Sequence, residues 1–368
     1  MLLWLALPLG ALALSADESL LLDRVREIAA APVDDFTLLG QNAGVRDGLY
    51  RYQLAFLGYG LCSIMEGEPG LRAEGRTLFT RLIEKMERPA TLAYWKARGY
   101  GGDGVGRDNA MYRGHLNLMY GLAHECFGET RFDARFHALS RALFDEIGGE
   151  RPVCCEPGEV FVQCNSVIIL SLCLHDRAFG TDYGAAGKRL LAWAHERMPL
   201  AGTTLVRDDY QASTGKSSTW RAGCANAWVI AFLAPVPGLE ADARAMYTDW
   251  RRTFAEPWGL IGIVKGAPAD EDLSMPEMLA SSLLATTFGL MAAREEGDEQ
   301  LHRRLEWTVA CADRLAEIFE DALPGEWRTK ARAWRTIALS CRAFRGWSQV
   351  PAIRHSLPPT GDNTTRKP

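Results

Sequence analysis

The chain has 368 residues, 48% of them hydrophobic and 24% charged, with a net charge of −5. That is an ordinary globular balance, with room for one large domain or two average ones. Acids and bases are interspersed, which excludes the clustered basic face of a nucleic-acid binder.

The chain begins with the apolar run MLLWLALPLGALALSADES. It resembles the hydrophobic region of a secretory signal, with ALS as a cleavage site, although no Lys or Arg precedes Arg24. The run is shorter than the ~20 residues a spanning helix needs. Residues 1–16 therefore read as a signal remnant, the end of a truncated membrane segment, or an apolar first helix. Location stays open between exported, membrane-associated and cytoplasmic.

From residue 17 to 350 the period is helical, and one catalytic domain is expected. The segments 17–31, 72–88, 131–148, 238–254, 298–321 and 327–347 place apolar residues at i, i+3, i+4 and i+7 with charges opposite. Another kind lies between them, at 50–67, 109–128, 159–176, 224–235 and 276–294. These are apolar on most of their circumference and rich in Gly, Ala and Ser, as helices buried on all sides are. The alternation predicts about twelve helices in two concentric layers, an all-α toroid, with a long bundle as the fallback. No run of period-2 strands points to a sheet. The loops leading into inner helices, GYGGDGVGRDN, ERPVCCEPGE and QASTGKSSTWRAG, are expected to gather at one mouth. The tail, 351–368, is Pro-rich and polar and is expected to be disordered.

Most motif readings fail at the residues. GYGGDGVG follows no strand, and STGKSS lacks the first Gly of a phosphate loop. Cys154 and Cys155 are adjacent and Cys164 lies nine residues on, with His115 and His175 out of register, so no metal is expected. Nine cysteines is an odd number, and Cys62, Cys126, Cys173 and Cys341 sit in helices among apolar neighbours. At most a pair or two would be bridged.

Acid–base or nucleophilic work remains. Cys155 lies just before an inner helix, whose N-terminal N–H groups favour a thiolate; Glu156 follows it, and Cys164 lies further into that helix. His115 stands in NAMYRGHLNLMYG. A lone buried His is usually a satisfied core residue, but Asn109, Tyr112 and Gly114 are unusual core neighbours. Tyr52 in YRYQLAF is a further candidate. Glu156, Phe161, Cys224 and Trp228, on the same segments, are candidates for substrate contact. Eleven tryptophans and ten tyrosines suit a cavity lined with aromatics and equally a packed core.

Together NAMYRGHLNLMYG, CCEPGEVFVQCN and YRYQLAF resemble the linalool dehydratase/isomerase family, over about residues 35–345. The resemblance implies an (α/α)6 barrel, no cofactor, and a ring-shaped homo-oligomer, a pentamer in the best-known member. The family's catalytic histidine falls on His115, its thiols on Cys155 and Cys164, its tyrosine on Tyr52 and its methionine on Met111. An aspartate contributed across a subunit interface falls on Asp35, with Asp34 as the alternative. Arg113 and Gly158 depart from the family's small residue and Asn, and bear on the substrate. The implied reaction is dehydration of a tertiary allylic alcohol, terpenoid or a short alkenol, to a diene, as in linalool to myrcene, or its allylic isomerisation. Pure acid–base transfer and a thioether on either sulfur are both open. The rival is a toroid glycoside hydrolase or sugar epimerase using paired carboxylates, with Asp103, Asp108, Glu156 and Glu159 available. A non-enzymatic helical scaffold would need a wet concave surface, which these apolar helices do not offer.

Overall fold

Ser15 starts the first helix of the computed structural model, which describes residues 14–40, 48–65, 67–268, 274–350 and 353. Its hydroxyl accepts the Glu18 N–H at 3.3 Å while the Glu18 carboxylate accepts the Ser15 N–H at 2.8 Å, a reciprocal cap that satisfies two orphan donors. Thirteen α-helices follow among the described residues: α1 (Ala16–Ala30), α2 (Leu49–Met65), α3 (Arg72–Met86), the short α4 (Ala93–Ala97), α5 (Ala110–Phe127), α6 (Asp133–Ile147), α7 (Val162–Phe179), α8 (Ala186–Arg197), α9 (Ala222–Leu233), α10 (Glu240–Phe254), α11 (Met275–Glu295), α12 (Glu299–Phe319) and α13 (Gly325–Ala343).

The all-round apolar helices form the inner layer. Helix α2 packs on α5, α5 on α7, α7 on α9, α9 on α11, α11 on α13, and α13 closes the ring on α2. The outer helices α1, α3, α6, α8, α10 and α12 bury one stripe each against this ring. The fold is all-α, an (α/α)6 barrel. Every residue of α9 is buried, whereas α6 buries only Phe136, Ser140, Leu143 and Ile147. Small residues set the closest crossing: a Cβ on Gly114 would lie 2.9 Å from Ile168, and one on Gly121 2.9 Å from Phe136. The ends of the barrel are joined by charge, Arg342 to Asp17 at 3.0 Å and Arg345 to Glu18 at 2.5 Å.

The sequence pattern misplaces three things. Segment 327–347 reads as amphipathic, yet α13 is the sixth inner helix; its charges crowd the first half, and Ala333 to Ala343 is buried apart from Arg335. The helix expected from 159 begins at Val162, because β1 (Glu159–Val160) is extended and pairs with Gln211 and Tyr210 of β2 (Asp209–Gln211). That strand pairs with β3 (Lys216–Ser218), so QASTGKSS is a hairpin rather than an open loop. A second hairpin, β4 (Ala255–Trp258) and β5 (Ile261–Val264), links α10 to α11. Strands of two to four residues are too short for a period-2 pattern.

Aromatic rings fill the barrel axis below the mouth. Phe56 and Trp228 lie 5.5 Å and 4.3 Å from Phe288, and Tyr59 and Phe232 lie 5.4 Å and 5.5 Å from Trp347. No helix among the described residues is long and apolar enough to cross a membrane. The signal-like readings of residues 1–13 and the tail 354–368 lie outside the described residues.

Candidate active site

His115 stands in the second turn of α5 and is wholly buried. Its Nδ1 lies 2.6 Å from the Tyr59 hydroxyl of α2, and no group among the described residues bonds Nε2. The rings of Tyr52, Phe56 and Trp228 surround it at 5.7–5.9 Å. Burial, and then the nearby Arg51 guanidinium, push its pKa down to about 3, so the imidazole is neutral. The helix start is held by two residues in the left-handed region, Asp108 at φ 56° and Asn109 at φ 53°. Non-glycine residues seldom adopt this conformation, Asn and Asp least reluctantly. Asn109 is fastened by the Tyr94 hydroxyl and by its own bond to the Gly104 carbonyl at 2.8 Å.

The thiols meet across the same helix end. Asn165 of α7 clamps Val153, accepting its N–H at 3.0 Å and donating to its carbonyl at 2.9 Å. The Ala110 N–H donates to the Cys154 carbonyl at 3.0 Å, and the Cys155 N–H to the Glu159 carbonyl at 2.8 Å. The Cys155 sulfur thus faces the α5 N-terminus, where the Cys164 thiol and the Met111 N–H favour its ionised form. The Cys164 hydrogen bond lowers the Cys155 pKa against the opposing effect of burial, and Arg51 and the Met111 N–H lower it further. Burial and the donated bond raise Cys164 well above an ordinary thiol. Cys155 is therefore the sulfur that ionises first. All nine cysteines are free.

The candidates Tyr52, His115, Cys155, Cys164 and Trp228 come together on one buried centre built from the first two turns of α2, α5, α7 and α9 and the loop that carries Cys155. Burial pushes the Tyr52 phenol up to about 12. Trp228 sits edge-on to Tyr52 at 6.1 Å, and no group among the described residues bonds its Nε1. Met111 contributes its backbone N–H. Cys224 lies in the α9 wall, where burial pushes its thiol up to about 12.

Other candidates stand apart. Glu156 is at the rim, bound by Arg98 at 2.7 Å and by the Tyr100 hydroxyl. Phe161 is half-buried under the Arg221 guanidinium, 5.7 Å from its ring. Asp34 pairs with Arg88 at 2.6 Å on the surface. The Asp35 carboxylate accepts the Thr37 N–H at 2.9 Å and its hydroxyl at 2.6 Å, which hold its pKa below the usual range. Neither aspartate contacts the buried centre of its own chain among the described residues. Lys85 also fastens this segment through the Pro32 and Asp35 carbonyls, at 2.6 Å and 2.9 Å. Of the acids of the carbohydrate reading, Asp103 is engaged by the Val105 and Gly106 N–H groups at 2.9 Å and 3.0 Å, and Glu156 by Arg98.

The two departures from the family pattern face away from the centre. Arg113 is buried against α6, bonding Glu146 at 2.5 Å and the Asp108 carbonyl at 3.0 Å. Gly158 takes φ 79° in an open turn, a conformation that Asn also tolerates.

Sequence reasoning missed three residues. Arg51 is buried, donates to the Tyr52 hydroxyl at 2.9 Å, and lies over the rings of Tyr52 and Tyr94 at 4.6 Å and 4.1 Å. A cation in YRYQLAF, on an otherwise apolar helix, was the available signal. Asp208 and Arg221 form an ion pair at 2.9 Å, and Gln163 bonds the same carboxylate at 3.1 Å. Burial raises the pKa of Asp208 and opposes the stabilising effect of Arg221. A polar cavity of about 330 Å³ lies behind Cys154, lined by Arg107, Asp108, Glu146 and Arg151. Among the described residues, no three His, Cys, Asp or Glu side chains are grouped to hold a metal ion.

A family model described as linalool dehydratase/isomerase matches residues 51–314. That span holds every candidate above except Asp34 and Asp35. Among solved structures, the Lin0763 protein from Listeria innocua is similar at TM-score 0.53 and 11% identity, over 89% of this chain and 97% of its own. An inactive variant of an α-1,6-mannanase from a Salegentibacter species, in complex with α-1,6-mannotetrose, aligns at 0.46 and 10% identity, over 82% and 98%. At such identity the Listeria protein shares the fold alone.

Proposed function

The chain belongs to the linalool dehydratase/isomerase family, and on that premise we propose that it is a cofactor-independent dehydratase and isomerase of small hydrophobic tertiary allylic alcohols, terpenoid or short alkenol. The observation that carries the reading is a neutral imidazole with Nε2 unbonded by protein, beside a phenol and a dithiol in an aromatic surround.

Dehydration breaks one C–O bond and one C–H bond and changes no overall oxidation level. It needs a proton on the departing hydroxyl, protection for allylic positive charge, and a base for the C–H proton. The Tyr52 phenol, protonated at neutral pH, gives its proton to the hydroxyl, which leaves as water. The faces of Phe56 and Trp228 flank the cation. With Nδ1–H donating to Tyr59, His115 Nε2 takes the C–H proton as the diene forms, and the proton returns to the phenolate. Return of water at the other allylic end gives the isomer. Each positioned acid or base contributes ~10²–10⁴-fold. A thioether on Cys155, formed by the thiolate and broken on proton loss, is the covalent variant of the same chemistry.

The working unit proposed is a ring of identical subunits, with Asp35 entering a neighbouring site. Its half-buried carboxylate, which bonds only Thr37 and no group of its own chain's centre among the described residues, supports this. The test is incubation with tertiary allylic alcohols, from short alkenols to sesquiterpenoids, with headspace detection. A diene is expected from at least one. No diene from any, together with turnover of an oligosaccharide, would reverse the reading.

A further inference from the structure

Arg51 is a buried guanidinium that no acid of the described chain neutralises. Its Nη2 donates to Tyr52, while Nε and Nη1 have no partner among the described residues. Both faces are covered by rings, Tyr52 at 4.6 Å and Tyr94 at 4.1 Å. Gly48 makes the room, since a Cβ there would lie 2.5 Å from Nη1. Tyr94 is fixed in turn by Asn109, the residue that starts α5. The cation is thereby tied to the helix end that faces Cys155.

Burying a charge without an opposite charge is costly. Among the described residues, the groups within reach that can carry a negative charge are the Cys155 and Cys164 sulfurs and the two phenols, and Cys164 is the sulfur held protonated. We infer that Arg51 is a positioning residue of this site: it supplies the positive charge against which the Cys155 sulfur is anionic, and it turns the Tyr52 hydroxyl proton into the centre. The second half follows from direction. The phenol oxygen already accepts from Arg51 Nη2, so its own O–H is left for the reactant. The same charge opposes a proton on His115. One guanidinium thus separates the site into a thiolate, a phenol with its proton available, and a neutral imidazole.

The titratable groups facing Cys155 are Arg51 and Tyr52 of α2, Tyr94 of α4, Cys164 of α7, and Glu156 in its own loop. Glu156 opposes the thiolate, but Arg98 holds it at 2.7 Å. Cys164 favours the thiolate by donating to it, so its contribution must be separated from that of Arg51.

This inference rests on the dehydratase reading only for the use made of the charge, and its test needs no substrate. Ultraviolet thiolate absorbance is titrated as a difference between each protein and its Cys155→Ser counterpart. In Arg51→Met the Cys155 midpoint is expected to rise by about 1–3 pH units, the effect of losing an opposite charge at close range. Arg51→Lys should restore most of the shift. A folded Arg51→Met with an unmoved midpoint overturns the inference, as does Arg51→Lys shifting as far as Arg51→Met. If Arg51→Met does not fold, Cys164→Ser alone decides. A midpoint still below the ordinary thiol value of about 8.5 supports Arg51, and one at or above it overturns the inference. Absence of diene would sink the dehydratase reading and leave these titrations standing, whereas diene with an unmoved midpoint would sink Arg51 alone.

Discussion

His115 shows how burial sets both chemistry and stability. Folded, it stays neutral down to about pH 3, whereas the unfolded side chain takes a proton near 6.5. Below 6.5 the unfolded state therefore binds more protons, and this residue's contribution to stability is lost as pH falls from 6.5 towards 3. Urea unfolding of the wild type and His115→Asn should show their difference moving against the wild type across that window. A difference independent of pH would contradict the buried neutral state. Turnover by His115→Asn and Cys155→Ser should fall by ~10²–10⁴-fold each, measured as diene release. Tyr59→Phe removes the Nδ1 partner and should cost about 1–3 kcal/mol in stability, as expected for a buried polar group left unpaired. His115, Cys155, Cys164 and Tyr52 were legible because unusual residues stood on apolar segments in a recognisable order. Asp208 and Arg221 were not, since nothing local links Asp208 to the Arg221 of the mouth loop and only the fold makes them partners.

Helix α5 shows what a sequence pattern conveys about an element and what it omits. Its all-round apolar character marked it as inner, but its distance from α7 depends on the third dimension. Gly114 and Gly121 allow that approach, and an added methyl would meet Ile168 at 2.9 Å or Leu174 at 3.0 Å. Gly121→Ala should destabilise by about 1–3 kcal/mol through overpacking, read as a lower denaturation midpoint with an unchanged denaturant slope. Gly158→Asn should stay within about 0.5 kcal/mol of wild type, because its turn is open and Asn accepts positive φ. A large loss there would mean that the turn carries a contact beyond its backbone. The start of α7 was misread because Glu159 and Val160 suit a helix locally. Their strand partners, Gln211 and Tyr210, lie far along the chain, beyond the reach of local periodicity. Helix α13 was misread for the converse reason, since its exposed first half dominates the pattern of the whole.

At the scale of the whole molecule, the alternation of buried and amphipathic helices was enough to imply a closed double layer, because a helix apolar on all sides needs neighbours on all sides. Assembly was reached only through the family, and the structure adds two observations that make it testable. Trp307, Leu315, Ile318 and Phe319 of α12 leave 52–60% of their surface exposed on an outer helix, the kind of apolar patch that marks an interaction site. The Asp35 side chain stays half-exposed at the surface although its backbone is fastened by Lys85. It is therefore presented outward on a firm segment, as a group serving a neighbour must be. A heterologous contact closes into a ring only when its rotation fits a whole number of copies, so activity should depend on assembly. Asp35→Asn and His115→Ala subunits should each be inactive alone. In assemblies purified through two different tags, each mixed interface that joins an intact Asp35 to an intact His115 should recover diene release. An active monomer by light scattering would count against the shared site, as would silence in assemblies shown to contain both variants.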